Sequence, residues 1–223
     1  MNEGVQSREP LTRERVLRTA LELIDEEGLD ALTMRRLGRR LGVEAMSLYR
    51  YVPRKDALVA GVVELLLSEL EVPGADAGDW ADRLRGAMAS YARIAEAHPH
   101  AFPLLVGRPA FTPAALRPAE RLFALLREAG FDAEATLFAI VTLWSYADGF
   151  LLTRGAMLTD EREWSEASRA ALPADLGGLD HVADVTPLKS EAHGRAGFHA
   201  GIDLILEGLR RLLDDDSDRG PSR

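Results

Sequence analysis

Residues 33–55, TMRRLGRRLGVEAMSLYRYVPRK, hold two short helical stretches with one glycine between them. Thr33 is a good N-cap for the first, and Leu37 and Leu41 recur one turn apart on its inward face. Gly42 then supplies the left-handed turn residue that glycine adopts at little cost. Val43 and Leu48 pack the second stretch onto what precedes it, leaving Ala45, Met46, Ser47, Tyr49, Arg50 and Tyr51 around its other sides. This is the pattern of a helix-turn-helix, in which one helix crosses a phosphate backbone and the next enters a major groove.

On the N-terminal side, Thr12 can cap a helix whose apolar face is Val16, Leu17, Ala20, Leu21 and Ile24, ended by Gly28. Residues 11–56 therefore read as a three-helix head behind a flexible stretch, 1–10. Pro53 precedes a connecting helix from about Arg54 to Leu70 that opens a larger helical region, 57–213. Within it VPGADAGD (72–79) is a Pro/Gly-rich joint, and Asp79 can cap a helix carrying Trp80, Leu84, Met88, Tyr91 and Ala95 on one stripe up to Pro99. A short apolar segment (101–106) precedes a helix to Gly130, expected to start afresh at Pro118. Asp132 can cap a long apolar helix, 133–154, and Asp160 another over 161–171. Residues 173–193, rich in Pro, Gly, Asp and His, read as a loop. A last helix over 195–213 leads into DDDSDRGPSR (214–223), a polar tail expected to be disordered. No stretch alternates with period two, so the fold class is all-α.

Composition narrows the function. The 223 residues are 47 % hydrophobic, as in a globular protein, and lack cysteine, which excludes disulfides and thiolate metal sites. No signal peptide is legible, and the apolar run 137–152 falls short of the roughly 20 residues that span a bilayer, so a cytoplasmic protein without a membrane partner is expected. The formal charge is −9, yet residues 33–55 hold seven basic side chains against Glu44 alone. That head segment is thus +6 and the remainder −15. Duplex DNA responds to local cation density, so this is a basic reading head on an acidic body. There is no Glu-x-x-His pair, phosphate loop or Gly-x-Ser-x-Gly elbow, so neither an enzyme, a metal site nor a cofactor is expected.

The run GVEAMSLYRYVPRKDALV (42–59) resembles the recognition helix and connecting helix of the tetracycline-repressor (TetR) family. LREAGF (126–131), LWSYADGF (143–150) and GIDLILEGLRRLL (201–213) are similar to the C-terminal domain of its tetracycline-repressor branch. The resemblance implies a homodimer whose heads read a near-palindromic operator. The C-terminal domains would pair and hold a small-molecule effector that releases the DNA, making the protein a repressor. It also implies that Tyr49 and Lys55 grip the backbone and that Thr33 meets a phosphate. The tetracycline repressors carry a polar amide and a proline at Ala45 and Met46, and a tryptophan and a histidine at Arg50 and Tyr51, so a different operator is expected here. A module whose head no longer reads DNA is the competing reading.

The expected DNA-facing set is Thr33, Arg35, Arg36, Glu44, Ala45, Met46, Ser47, Tyr49, Arg50, Tyr51 and Lys55. Arg50 can make a bidentate contact to guanine, while Ala45 and Met46 can touch a thymine methyl or nothing. For the effector, Phe138, Thr142, Ser145 and Gly149 share one face of the 133–154 helix, with Val141 and Asp148 alongside. His98, Phe102 and Phe111 join them as candidates, each also readable as a core or loop residue. Phe198, Ile202, Ile205, Leu209 and Leu212, three and four apart, mark a packing seam with Gly201 beside it. A dimer bundle or the subunit's own core would serve as its cover.

Overall fold

The computed structural model describes residues 10–107, 112–158, 181 and 194–219, and every α-helical or strand element among them is a helix. These are α1 (Arg13–Glu27), α2 (Met34–Leu41), α3 (Ala45–Leu48), α4 (Lys55–Ser68), α5 (Trp80–Ala97), α6 (Pro103–Gly107), α7 (Pro113–Glu128), α8 (Ala133–Leu158) and α9 (Arg195–Arg219), with two single 3₁₀ turns at Leu29–Ala31 and Ala75–Ala77. They cluster into two units, residues 1–68 with 98–115 and residues 69–97 with 116–223.

The first unit is built on α1. Thr12 Oγ1 caps it by accepting from the Arg15 amide at 3.1 Å, and its buried stripe runs Val16, Leu17, Ala20, Leu21, Leu23 and Ile24. Helices α2 and α4 pack on it. Gly61 of α4 faces Leu17 where a β-carbon would collide with the leucine methyls, and the Arg13 guanidinium donates to Glu64 at 3.2 Å beside that crossing. Leu58, Val59, Val62, Val63 and Leu66 bury the rest of α4, so α4 clusters with the head rather than beyond the boundary expected at residue 56. The chain then returns to this unit at His98. His98 Nδ1 lies 2.6 Å from Asp25 Oδ2, His100 Nδ1 donates to the Asp25 carbonyl at 2.7 Å, and α6 packs on α4.

The turn between α2 and α3 is set by two glycines. Gly42 has φ 69° and ψ 32°, and its amide bonds back to the α2 carbonyls. At Gly38 a β-carbon would stand 2.8 Å from the Val43 carbonyl oxygen and 3.2 Å from the Ala45 nitrogen, both rigid backbone. Leu37 and Leu48 are fully buried across this turn, with Leu41 nearly so.

In the second unit α5, α8 and α9 pack against one another. Asp79 Oδ1 caps α5 by accepting from the Ala81 and Asp82 amides at 2.9 Å each, and the Asp82 amide, followed by the Arg210 guanidinium, holds its carboxyl below the usual range. Asp132 Oδ1 caps α8 through the Ala135 amide at 2.7 Å. The Tyr146 hydroxyl of α8 lies 3.1 Å from both the Gly197 and Phe198 carbonyls of α9, and Gly201 sits against its ring with no room for a β-carbon.

Three expectations are corrected. Helix α7 starts at Pro113 and runs through Pro118, whose missing amide hydrogen falls within its first two turns instead of opening a new helix. Helix α9 continues to Arg219, because nothing between Asp214 and Arg219 is a glycine or proline; that signal first comes at Gly220. Helix α8 reaches Leu158, and its Ala133–Arg154 portion is long and apolar enough to cross a membrane by length and composition, whereas the apolar run 137–152 within it is too short. The helix expected over 161–171, most of the loop over 173–193, and Phe111 lie outside the described residues.

Gly38→Ala is expected to cost about 1–3 kcal/mol, the range for overpacking a tight contact. It should weaken DNA binding along with stability, because the turn that aims α3 must shift. Urea unfolding together with a DNA titration checks both.

Candidate functional site

Helix α3 is anchored by Leu48 and leaves the rest of its surface open. Met46 is 78 % exposed, Ser47 and Arg50 are exposed, Tyr49 is 41 % exposed, and Ala45 and Tyr51 are half-buried. Amides continue the coil past α3, with Tyr51 and Val52 both bonding to the Leu48 carbonyl, so Arg50 and Tyr51 stay in register with it. The Arg50 guanidinium lies over the Tyr51 ring, 5.6 Å from its centroid, and reaches the phenol oxygen at 3.4 Å. Met46, Ser47, Arg50 and Tyr51 line one open cleft with Val43 and Leu11, the last not foreseen from sequence. A protruding apolar tip beside a held guanidinium suits base edges and a thymine methyl.

Around this tip, Thr33 caps α2 by accepting from the Arg36 amide at 3.2 Å, so its hydroxyl lies at the helix start where free amides favour an anion. Glu44 precedes α3 as its exposed N-cap and makes no side-chain capping bond. Lys55 opens α4, exposed. Arg35, expected to add electrostatic attraction, is exposed, as is Arg39. Arg36, expected to do the same, is instead paired with Glu27, and Arg40 with Glu26, whose carboxylate raises the arginine's pKa above its ordinary value. These two pairs remove part of the +6 counted from composition, because the acidic end of α1 folds back alongside α2.

Known proteins match this arrangement over almost the full chain. A family described as "Bacterial regulatory proteins, tetR family" matches residues 16–62, and one described as "Tetracyclin repressor-like, C-terminal domain" matches 72–213. The chain belongs to the TetR family. The class C tetracycline repressor protein of Escherichia coli is 30 % identical over 208 residues, covering 91 % of this chain and 92 % of that protein. The HTH-type transcriptional repressor DrrR1 of Streptomyces coeruleorubidus is 33 % identical over 220 residues, covering 91 % and 78 %. Among solved structures, a possible TetR family transcriptional regulator from Streptomyces coelicolor A3(2) superposes with a TM-score of 0.79 at 32 % identity, covering 90 % of this chain and 99 % of that one. The ActR protein of Streptomyces coelicolor, solved in complex with actinorhodin, superposes with a TM-score of 0.77 at 30 % identity, covering 92 % and 99 %.

As a TetR family member the chain is a DNA-binding transcriptional regulator, and its helical unit is the family's C-terminal domain. The residues expected to line an effector pocket divide between the two units. His98 and Phe102 belong to the head unit, where His98 is bonded to Asp25 and Phe102 is buried. Phe138 (63 % exposed), Val141, Ser145 and Gly149 form an outward stripe of α8, with Thr142 half-buried beside it. Helical spacing tells which residues share a face, but not which side of the domain that face meets. Asp148 alone points into the domain. Its Oδ1 accepts the Tyr91 hydroxyl at 2.8 Å, and burial pushes its carboxyl up against the lowering effect of that bond. Tyr91 is in turn stacked on Trp144 at 5.0 Å, and burial pushes its phenol far up.

The expected dimer seam on α9 also divides. Phe198, Ile202 and Leu209 are buried within the single chain, and Gly201 is occupied by Tyr146, so this face belongs to the subunit's own core. Ile205 is half-buried and Leu212 exposed. Leu204, 76 % exposed, has Ala200 and Gly208 one turn to either side on an open face of α9 that the expected seam did not include. Their spacing of four was a legible signal, hidden by the stronger seam next to it.

For the head, Arg50→Ala should relax base preference at one position of each half-site by about 1–3 kcal/mol. Lys55→Ala should weaken all sequences alike and lower the slope of log affinity against log salt by about 1. Mobility-shift titrations over a set of operator variants at several salt concentrations separate the two effects.

Proposed function

We propose that the protein is a cytoplasmic, homodimeric repressor that binds a near-palindromic operator through two copies of α3 and is released by a small-molecule effector. The observation that carries the dimer is an apolar stripe of the helical unit that the single chain leaves uncovered: Leu137, Phe138 and Val141 on α8, and Leu204 and Leu212 on α9. Gly149 and Gly208 lie on those same exposed faces with open space where a β-carbon would stand, so a partner helix can approach closely there. A second copy meeting the same two helices about a twofold axis covers both stripes at once and gives an isologous interface. Two heads related by that axis then match an operator whose half-sites are inverted repeats.

Repression and release are supported by relatives whose names call them repressors, and by ActR, which is solved with actinorhodin bound. The body's acidic excess works in the same direction, since it disfavours any approach to DNA except head first. For an effector to release the operator it must bind the released state better than the DNA-bound one, and couplings of about 1–3 kcal/mol are usual for such linkage.

Sedimentation velocity tests the interface. The parent chain should run as a dimer, and Phe138→Arg combined with Leu204→Arg should run as a folded monomer with sharply reduced operator affinity. Ile202→Arg, by contrast, should unfold the chain, since that residue is fully buried within the subunit. A double Arg variant that remains dimeric and binds operator like the parent would refute the proposed face, and failure of the parent to shift any inverted repeat from DNA flanking its gene would refute the operator reading.

A further inference from the structure

Among the described residues, nothing in the packing of the helical unit calls for a carboxylate rather than an amide at position 148. The Asp148 carboxyl is half-buried between α5 and α8, bonded through Oδ1 to the Tyr91 hydroxyl at 2.8 Å. An asparagine would accept the same bond without the cost of withdrawing an ionised group from water. Among the described residues no lysine, arginine or histidine pairs with Asp148, and the only influences on its ionisation are burial and Tyr91. Four arginines described in this unit are engaged elsewhere: Arg154 and Arg195 with Glu96, Arg85 with Asp203, and Arg210 with Asp79. Oδ2 of Asp148 takes no hydrogen bond among the described residues, and the residue as a whole is half-buried rather than fully buried.

The surroundings of this carboxylate are aromatic. Tyr91 and Trp144 lie nearly parallel, their planes 21° apart and their centroids separated by 5.0 Å, and Trp144 is half-buried one helical turn from Asp148. Ring faces attract cations and stack on flat π systems, while an unpaired carboxylate attracts a cation and repels an anion. Both preferences point to the same kind of guest.

We propose that Asp148, with Tyr91 and Trp144, forms the subsite that selects the effector, and that the effector is an organic cation, a protonated amine carried on a flat aromatic skeleton. This deepens the effector reading given above and rests on it. The ammonium replaces the missing counter-charge at Oδ2, the flat skeleton lies along the half-buried tryptophan, and the buried Tyr91 backs that ring and keeps the carboxylate oriented from the other oxygen.

The probes are 1-naphthylmethylamine, an ammonium ion at pH 7, and 1-naphthylmethanol, a neutral molecule of nearly the same shape. Thermal unfolding of the full chain should show a higher Tm with the amine than with the alcohol, and titration should give the amine a tighter affinity by about tenfold or more, as expected of one charge-assisted hydrogen bond. Asp148→Asn should erase that preference. Tyr91→Phe, which keeps the ring and frees the carboxylate, should retain it. Equal binding of the two probes, no binding of the amine, or a preference that survives Asp148→Asn overturns the assignment. The effector reading fails separately: Asp148-dependent amine binding that leaves operator occupancy unchanged in a mobility shift supports the subsite and removes its role in release. A neutral or anionic compound that releases the operator, while the amine does not bind, does the reverse.

Discussion

Where α2 meets the turn that follows it, main chain touches main chain. The hydrogen of Gly38 occupies a place in which any side chain would press on the Val43 carbonyl and the Ala45 amide, and the Val43 amide in turn bonds to the Gly38 carbonyl at 2.9 Å. With Gly42 in the left-handed conformation, these contacts leave the turn almost no freedom. The four residues of α3 are too few to hold a helix by their own propensity. Their position comes from this turn and from Leu48, fully buried where α3 packs on α2. The direction in which Met46 and Arg50 project is therefore decided by two glycines and a leucine that touch no partner themselves.

The same economy of anchoring shapes the electrostatics. Composition places seven cations in a 23-residue segment, but the fold returns the acidic end of α1 to their side and matches Glu26 with Arg40 and Glu27 with Arg36. Such exposed pairs add little stability. Their larger effect is on which cations phosphates can recruit without competition: Arg35, Arg39, Arg54 and Lys55 are exposed and outside these pairs, and Arg50 is held by the Tyr51 ring. The charge available to DNA is smaller and more directional than the sum suggests, which favours a register over mere adhesion.

Local signals were legible in the sequence because their causes are local. Thr12, Thr33, Asp79 and Asp132 each cap the helix that follows, and Gly28 and Gly42 end the helices that precede them, because a cap involves only three or four consecutive residues. What lay beyond reach was the identity of the surface each face meets. Phe198, Ile202 and Leu209 carry the spacing of a dimer seam and of a core stripe equally well, and only the presence of Tyr146 against Gly201 decides for the core. Gly38 gives no signal in the sequence for a related reason. A glycine inside a helix reads as a weakness of about 1 kcal/mol until the backbone it admits is seen. The Tyr91–Asp148 bond spans 57 residues and leaves no mark in either neighbourhood.

Helix α8 gathers these themes, since its lack of a polar side is what made it hard to read. Ala139, Ile140, Leu143, Ala147 and Leu151 serve the core of the unit, Tyr146 and Phe150 meet Phe198 of α9, and Trp144 with Asp148 turns toward Tyr91 of α5. The remaining side bears Leu137, Phe138 and Val141, which the single chain leaves open. A helix with apolar neighbours on several sides must be apolar nearly all round, which is why its composition matches that of a membrane span. The polar residues that interrupt it separate the two cases. Ser145 and Gly149 fall on the open side, where small residues let another helix come close. Asp148 falls on the inner side beside the Trp144 indole and the Tyr91 phenol, where it accepts the tyrosine's hydrogen bond and no cation among the described residues pairs with it.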